Sequence, residues 1–236
     1  MFEVVTETAD VPIETIIVDN GSRDETSQLL DRIDDARIIR NESNLHFLHG
    51  VNQAAAVALG RAVLLLNSDA ELTPGALTAA HETLFSAADI GAVGGKLILA
   101  DGALQEAGSV VWADGSCRGY GRGWSPEAPE CQFRCDVDYC SGAFLLIRRD
   151  VFERLGRLDV AFAPAYYEET DLCMRLQEVG FRAVYEPRAA SRHFEFGSSS
   201  ESGRGIELMR RHQALFYDRH ASCRASIGCP RIGRGG

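Results

Sequence analysis

The chain has 236 residues, 45% of them hydrophobic and 25% charged, an ordinary globular composition long enough to bury one full core. Its formal charge of -10 excludes a nonspecific nucleic-acid surface, because phosphate binding needs clustered cations and here 34 acids outnumber 24 scattered Lys and Arg. No apolar run approaches the roughly 18 residues of a membrane span, and the start MFEVVTETAD has neither a basic nor an apolar leader region, so a cytoplasmic chain is expected.

In chain order, residues 13–18 read as a strand that runs into Asp19-Asn20-Gly21-Ser22, and a Ser/Asp-rich cap opens a helix from Ser22 to Leu30. Arg37 to Arg40 predict a short second strand. Gly50 to Gly60 read as a helix whose alanines allow close packing on a sheet, and Ala62 to Leu66 as a third strand running into Asn67-Ser68-Asp69. Pro74 to Ser86 follow as a helix with Pro in its first turn. Alternating strands and helices imply βαβ units and a largely parallel sheet. Carboxylates at the carboxyl ends of two such strands stand where open α/β sheets bind ligands, and the pair suggests a nucleotide and a metal.

After Gly91 the pattern changes. Ala92 to Leu99 is strand-like, and residues 101–135 are rich in Gly, Pro, Asp and aromatics, as in a long functional loop or hairpin excursion. Tyr139 to Arg148 return to a strand pattern, Val151 to Leu155 to a short helix, Glu169 to Val179 to a helix ended by Gly180, and Arg182 to Glu186 to a final strand. One domain is expected over residues 1–220, with 221–236 as a disordered tail. The seven cysteines are odd in number and hold no C-x-x-C pair, which reads as free thiols.

Eight segments, in this order, carry a resemblance: IIVDNGSRDET (16–26), NESNLHF (41–47), LLLNSDAEL (64–72), GAVGGKL (91–97), LQEAG (104–108), VDYCSGAFLLIRRDVFERLGRLD (137–159), AYYEETDLCMRLQEVGFRAVYEP (165–187) and RHFEFGSSS (192–200). From about Val11 to Phe216 the chain resembles the family 2 glycosyltransferases of the GT-A fold, particularly rhamnosyltransferase-like enzymes of bacterial O-antigen and surface-polysaccharide synthesis. The resemblance implies an α/β protein with a mostly parallel central sheet flanked by helices. It also implies a nucleotide-diphosphate sugar donor, Mg²⁺ or Mn²⁺, and inverting transfer to a hydroxyl of a glycan or lipid-linked acceptor. A lipid-linked acceptor would bring the protein to the inner face of the membrane as a peripheral partner.

Residue by residue, the resemblance makes Asp19, with Asn20, Gly21 and Ser22, the group that recognises the base or ribose, and Asn44 a lining residue of the nucleotide pocket. A capping carboxylate at Asp19 and a plain turn residue at Asn44 are the structural alternatives. Asn67-Ser68-Asp69 stands in the place of the D-x-D motif, with Asn67 for the first acid and Asp69 as metal ligand. A hard cation takes oxygen ligands and keeps positions for phosphate, so one carboxylate plus the diphosphate suffices. His193 matches a late histidine that completes the metal site, its alternative a structural role. Ser141, Gly142 and Glu168 fall on the acceptor side. Glu169 falls where the family normally has the Asp that takes the acceptor's proton; the alternative makes Glu168, Glu169 and Asp171 favourable charges at a helix start.

His46 stands where the family usually has Gly. The family's opening strand, of the type V-x-I-V-I-P-x-Y-N, is not matched either; Phe2 to Val11 correspond only to the end of the helix that follows it. Loss of that strand would leave two strands without a neighbour, and it motivates a second expectation, a truncated, inactive glycosyltransferase-like domain with at most a binding function. A sugar nucleotidyltransferase would need a Gly-rich basic phosphate loop near the start, and the sequence shows none.

Overall fold

The computed structural model describes residues 11–195 and 203–221. The opening alternation produces β1 (Thr15–Asp19), α1 (Thr26–Leu30), β2 (Ala36–Arg40), α2 (His46–Val57), β3 (Ala62–Leu66), the short β4 (Ala70–Leu72) and α3 (Ala76–Phe85). β5 (Ile90–Leu99) is followed by three short strands, β6 (Leu104–Ala107), β7 (Ser109–Val111) and β8 (Cys117–Gly119), then β9 (Cys135–Val137) and β10 (Phe144–Arg148). The chain closes with α4 (Arg149–Arg154), α5 (Glu168–Glu178), β11 (Arg182–His193) and α6 (Gly203–Arg219).

The main sheet has the order β3-β10-β5-β11-β4, with β6 added on β5 and β9 on β11. Its two faces follow the two-residue period of a strand. In β10, Leu145 and Ile147 join a core with Leu48, Leu65, Phe152, Phe162 and Leu172. Phe144 and Leu146 join the opposite core with Leu77, Leu84, Val93, Leu97 and Val184. β5 is central, and two glycines let its neighbours close in: a Cβ on Gly94 would lie 2.2 Å from Cys140 Sγ, and one on Gly95 2.0 Å from the Ala189 carbonyl oxygen.

The central sheet flanked by helices is the α/β layout expected, with a correction to its sense. Only β1 with β2 and β5 with β11 pair in parallel. β10 enters from the 101–135 excursion rather than by a helical crossover, and so lies antiparallel to both β3 and β5. That excursion is itself laddered: β6 pairs β5, β7 pairs β8, and β9 pairs β11. β11 runs seven residues past its expected end, through a register shift between Glu186 and Ala190.

The sheet is in two pieces. Among the described residues β1 pairs only with β2, as a separate two-stranded sheet, and β3 pairs only with β10. The side chain of Glu14 spans the interval between them, accepting hydrogen bonds from the backbone N–H groups of Leu59 and Gly60 just ahead of β3. Helix α2 lies against β1, where a Cβ on Gly50 would lie 3.4 Å from Val18 Cγ1.

Helix α6 is tied to α5 by a buried ionic cluster. Asp171, fully buried, accepts from Arg175 Nε at 2.7 Å, Arg219 at 3.0 Å and His220 Nε2 at 3.0 Å. Burial alone would raise its carboxyl, but the bonds from His220 and Arg175 reverse this and hold it below the usual carboxylate range. Asp171→Ala would strand three cationic or polar partners, so a loss of about 3–5 kcal/mol is expected in urea denaturation; a loss below about 1 kcal/mol would show that the cluster does not anchor α6.

The five described cysteines (117, 131, 135, 140 and 173) are free thiols. No helix among the described residues is long and apolar enough to cross a membrane. The tail expected at 221–236 lies outside the described residues apart from Ala221, and so do residues 1–10 of the expected domain.

Candidate functional site

Asp19 closes β1 and is buried. Its Oδ1 accepts the Ser22 N–H at 2.9 Å, and the Ser22 hydroxyl and N–H together hold the carboxyl below its usual range. Asn20 donates to the His46 carbonyl at 3.2 Å and accepts from Asn41 at 2.9 Å. Gly21 has φ +74°, and a Cβ there would lie 3.0 Å from the backbone of Ser43, so the 19–22 turn is pressed against the 41–44 turn. Asn44 Oδ1 is taken up locally by the His46 N–H at 2.7 Å, the turn role that was its alternative. His46 has φ +65°, the left-handed conformation that a glycine adopts without strain, which accounts for the residue type the family prefers here.

The residues expected on the metal side converge because β4 and β11 pair. That register sets His193 opposite Ala70, and the Phe194 N–H bonds the Asp69 carbonyl at 2.9 Å, bringing side chains 124 residues apart to one spot. Asp69 Oδ1 lies 3.1 Å from His193 Nε2, and Asn67 Nδ2 lies 3.3 Å from the same nitrogen. The other ring nitrogen, Nδ1, donates to Gln105 Oε1 at 2.8 Å. That bond calls for a proton on Nδ1 and orients the ring so that Nε2 faces Asp69.

Among the described residues no three His, Cys, Asp or Glu side chains cluster tightly enough to hold a metal unaided. One carboxylate and one oriented imidazole suit a divalent cation whose remaining positions are filled by phosphate oxygens and water.

The acceptor-side turn adjoins this pair. The Asn67 N–H donates to the Ala143 carbonyl at 3.3 Å, and Ser141 Oγ accepts the Ala143 N–H at 3.2 Å. A Cβ on Gly142 would lie 3.1 Å from the Phe47 ring at the start of α2, so this glycine lets the turn meet the helix that carries the donor-side loop. Glu168 and Glu169 begin α5 after two consecutive left-handed tyrosines, Tyr166 (φ +75°) and Tyr167 (φ +73°), a turn that no side chain adopts for ease. The Tyr167 hydroxyl donates to the Gly115 carbonyl at 2.9 Å and its ring packs on Phe216, which fixes the bend.

Glu168 is buried and its Oε2 has no hydrogen-bond partner. Burial and the adjacent Glu169 push its carboxyl well above the usual range, and burial pushes Glu169 up as well. Asp171, two residues on, belongs instead to the cluster that ties α5 to α6. So the structure brings Asn67, Asp69 and His193 together, sets the Ser141–Gly142 turn beside them, starts α5 at Glu168 and Glu169, and joins the Asp19–Asn44 loops to the rest through Phe47. Two polar residues join the site that carried no assignment from the sequence, Gln105 orienting His193 and Glu106 accepting the Ser141 N–H at 3.0 Å. Their signal is a carboxylate and an amide in a strand buried at all four positions.

The chain is 30% identical over 194 residues to the O-antigen biosynthesis protein RfbC of Myxococcus xanthus, an alignment covering 78% of this chain and 15% of that protein, so the chain spans a small part of that relative. It is 25% identical over 237 residues to the N-acetylglucosaminyl-diphospho-decaprenol L-rhamnosyltransferase of Mycobacterium tuberculosis, covering 89% of this chain and 76% of that one. Its fold is that of the mannosyltransferase PcManGT from Pyrobaculum calidifontis, solved in complex with GDP-Man and Mn²⁺, with a TM-score of 0.60 at 16% identity over 97% of this chain and 60% of the other. This likeness shows the GT-A fold. The model of the family described as "Glycosyl transferase family 2" matches residues 3–156, and the chain belongs to that family.

Proposed function

We propose that this chain, as one domain over residues 1–220, transfers a sugar from a nucleotide-diphosphate donor to a hydroxyl of a glycan or lipid-linked acceptor, with inversion at the anomeric carbon. The observation that carries the reading is the convergence of Asp69 and His193 beside the Ser141–Gly142 turn. The Mn²⁺ complex of the fold relative and the L-rhamnosyltransferase relative support a divalent cation and a rhamnose-type donor.

Asp69 and His193 would hold the cation, which supplies positive charge against the leaving diphosphate. Asp19 and its turn bind the nucleoside end. Glu169 accepts the proton of the acceptor hydroxyl; the acceptor oxygen forms its bond to the anomeric carbon as the bond to the diphosphate oxygen breaks, and that electron pair leaves with the diphosphate. The Ser141–Gly142 turn, with no side chain on Gly142, leaves the acceptor room beside Glu169. A lipid-linked acceptor would place this chemistry at the inner face of the membrane.

A panel of nucleotide sugars with Mn²⁺ or Mg²⁺ should raise the thermal midpoint by about 5–10 °C for the true donor at a hundredfold excess over its Kd. No rise with any donor sinks the reading. A rise without turnover on any acceptor supports the second reading, a binding domain, which the divided sheet favours.

A further inference from the structure

We propose that His212 of α6 is a positioning residue for Glu168 and Glu169: its ring ties down the left-handed Tyr166–Tyr167 bend on which helix α5 is built. The inference rests on the reading of Glu169 as the proton acceptor only for its kinetic consequence.

Tyr166 and Tyr167 stand at φ +75° and +73°, where a Cβ crowds the following carbonyl, and two such residues in succession persist only where their surroundings overdetermine them. Tyr167 is held through its side chain, by the Gly115 carbonyl and the Phe216 ring. Tyr166 is held through its backbone. His212 Nδ1 lies 3.0 Å from the Ala165 carbonyl oxygen and 3.1 Å from that of Tyr166. Carbonyls only accept, so Nδ1 carries the proton and shares it between the two. These carbonyls belong to the rigid peptide planes on either side of the Tyr166 Cα, so one donor engaging both constrains φ and ψ of that residue together. The Asp171 N–H in turn bonds the Tyr167 carbonyl at 2.8 Å. The first turn of α5, with Glu168 and Glu169 in it, therefore starts from the bend itself.

His212 is fully buried and stands edge-on to Phe162, with ring centroids 5.6 Å apart and an interplanar angle of 85°. One turn further along α6, Phe216 meets the Tyr167 ring at 5.3 Å, and a turn beyond that His220 joins Asp171 at 3.0 Å. Helix α6 thus grips both the bend and the helix that leaves it. The second His212 nitrogen, Nε2, is buried with no hydrogen-bond partner. A bare polar nitrogen in a core is a standing cost that a phenylalanine would not carry, so packing does not account for an imidazole here and the Nδ1 bond does.

The test compares the parent chain with His212→Phe, which keeps a ring but removes the donor, and with His212→Asn, whose amide nitrogen stands where Nδ1 does. Amide hydrogen exchange of residues 168–172 should quicken about tenfold or more in His212→Phe and return to within about threefold of the parent in His212→Asn, with β1 and β2 unmoved. A carboxylate displaced by about 1 Å as the bend loosens should lower kcat on the order of 10²-fold in His212→Phe, at unchanged nucleotide affinity. Glycine adopts the Tyr166 conformation without strain, so in a Tyr166→Gly background the same His212→Phe change should cost less than about threefold in either readout. Exchange at 168–172 that is unmoved in His212→Phe, or that quickens equally in every segment of the chain, overturns the proposal. Should His212→Phe not fold, the double variant with Tyr166→Gly decides: protection like the parent's sustains the proposal, and failure to fold sinks it. Where exchange responds as expected but kcat does not, His212 still holds the bend and the proton-acceptor reading of Glu169 is what fails.

Discussion

Asp69→Ala is expected to abolish cation-dependent nucleotide binding, weakening it more than 100-fold in calorimetric titration with UDP or dTDP and Mn²⁺. Residues that merely orient a metal ligand typically cost 10–100-fold when changed, and Asp69 is the carboxylate that meets His193, so its removal should exceed that range. Asn67 cannot replace it, because an amide oxygen brings a dipole where the cation needs a charge. The variant should fold normally: the contact that pins this turn to β11 is the bond from the Phe194 N–H to the Asp69 carbonyl, which belongs to the backbone. An unchanged Kd in the presence of Mn²⁺ would remove Asp69 from the metal site. The same titration without a divalent cation should show no difference between the two proteins.

Glu169→Gln should lower kcat by about 10²–10⁴ while leaving nucleotide affinity unchanged, the signature of a group that acts on the proton of the acceptor. Glutamine keeps the length of the side chain but cannot accept a proton. The pH dependence follows from the direction in which burial shifts the group. A general base works only when ionised, and Glu169 ionises above the ordinary carboxylate range, so kcat/KM in the parent should rise with pH through a midpoint displaced upward from about 4.3. Glu169→Asp keeps the charge but draws it back by one methylene, and a displacement of about 1 Å can cost on the order of 10²-fold. Activity retained in Glu169→Gln would transfer the role elsewhere, with Glu168 the nearest candidate.

The parts of the fold that could be read from the sequence are those where a single period governs. Alternating short apolar runs and helical stretches up to Gly91 gave β1 to β3 and the helices α1 to α3 within a few residues. β4 escaped notice because three residues carry no period, yet it is the strand whose pairing delivers His193 to Asp69. The antiparallel placement of β10 was not legible because strand direction is settled by a connection of some forty residues, and nothing in the apolar pattern of Phe144–Arg148 encodes direction. Helix α6 did leave a trace: His212, Phe216 and His220, spaced by four, form its buried face.

In the site, Asp69, His193 and Glu169 could be named from matched segments, whereas Gln105 and Glu106 could not be given roles. Their partners, His193 and Ser141, lie 88 and 35 residues away and meet them only through the β5–β6 pairing. Asn44 shows the reverse, a matched residue whose side chain is engaged by the helix it precedes.

The two-piece sheet gives the site a mechanical character. The loop that carries Asp19 and the turn that carries Asp69 are mounted on separate ladders, linked among the described residues by helix α2, by the Glu14 side chain and by the contact of Phe47 with Gly142. A continuous hydrogen-bonded ladder transmits displacement stiffly across its strands; a helix and a few side chains do not. The spacing between the Asp19 loop and the Asp69 turn, where the proposed donor's nucleoside and diphosphate would lie, is therefore expected to be a soft coordinate of this molecule. A donor that touched both would act as the missing strut, and part of its binding free energy would be spent in stilling that coordinate before any chemistry began.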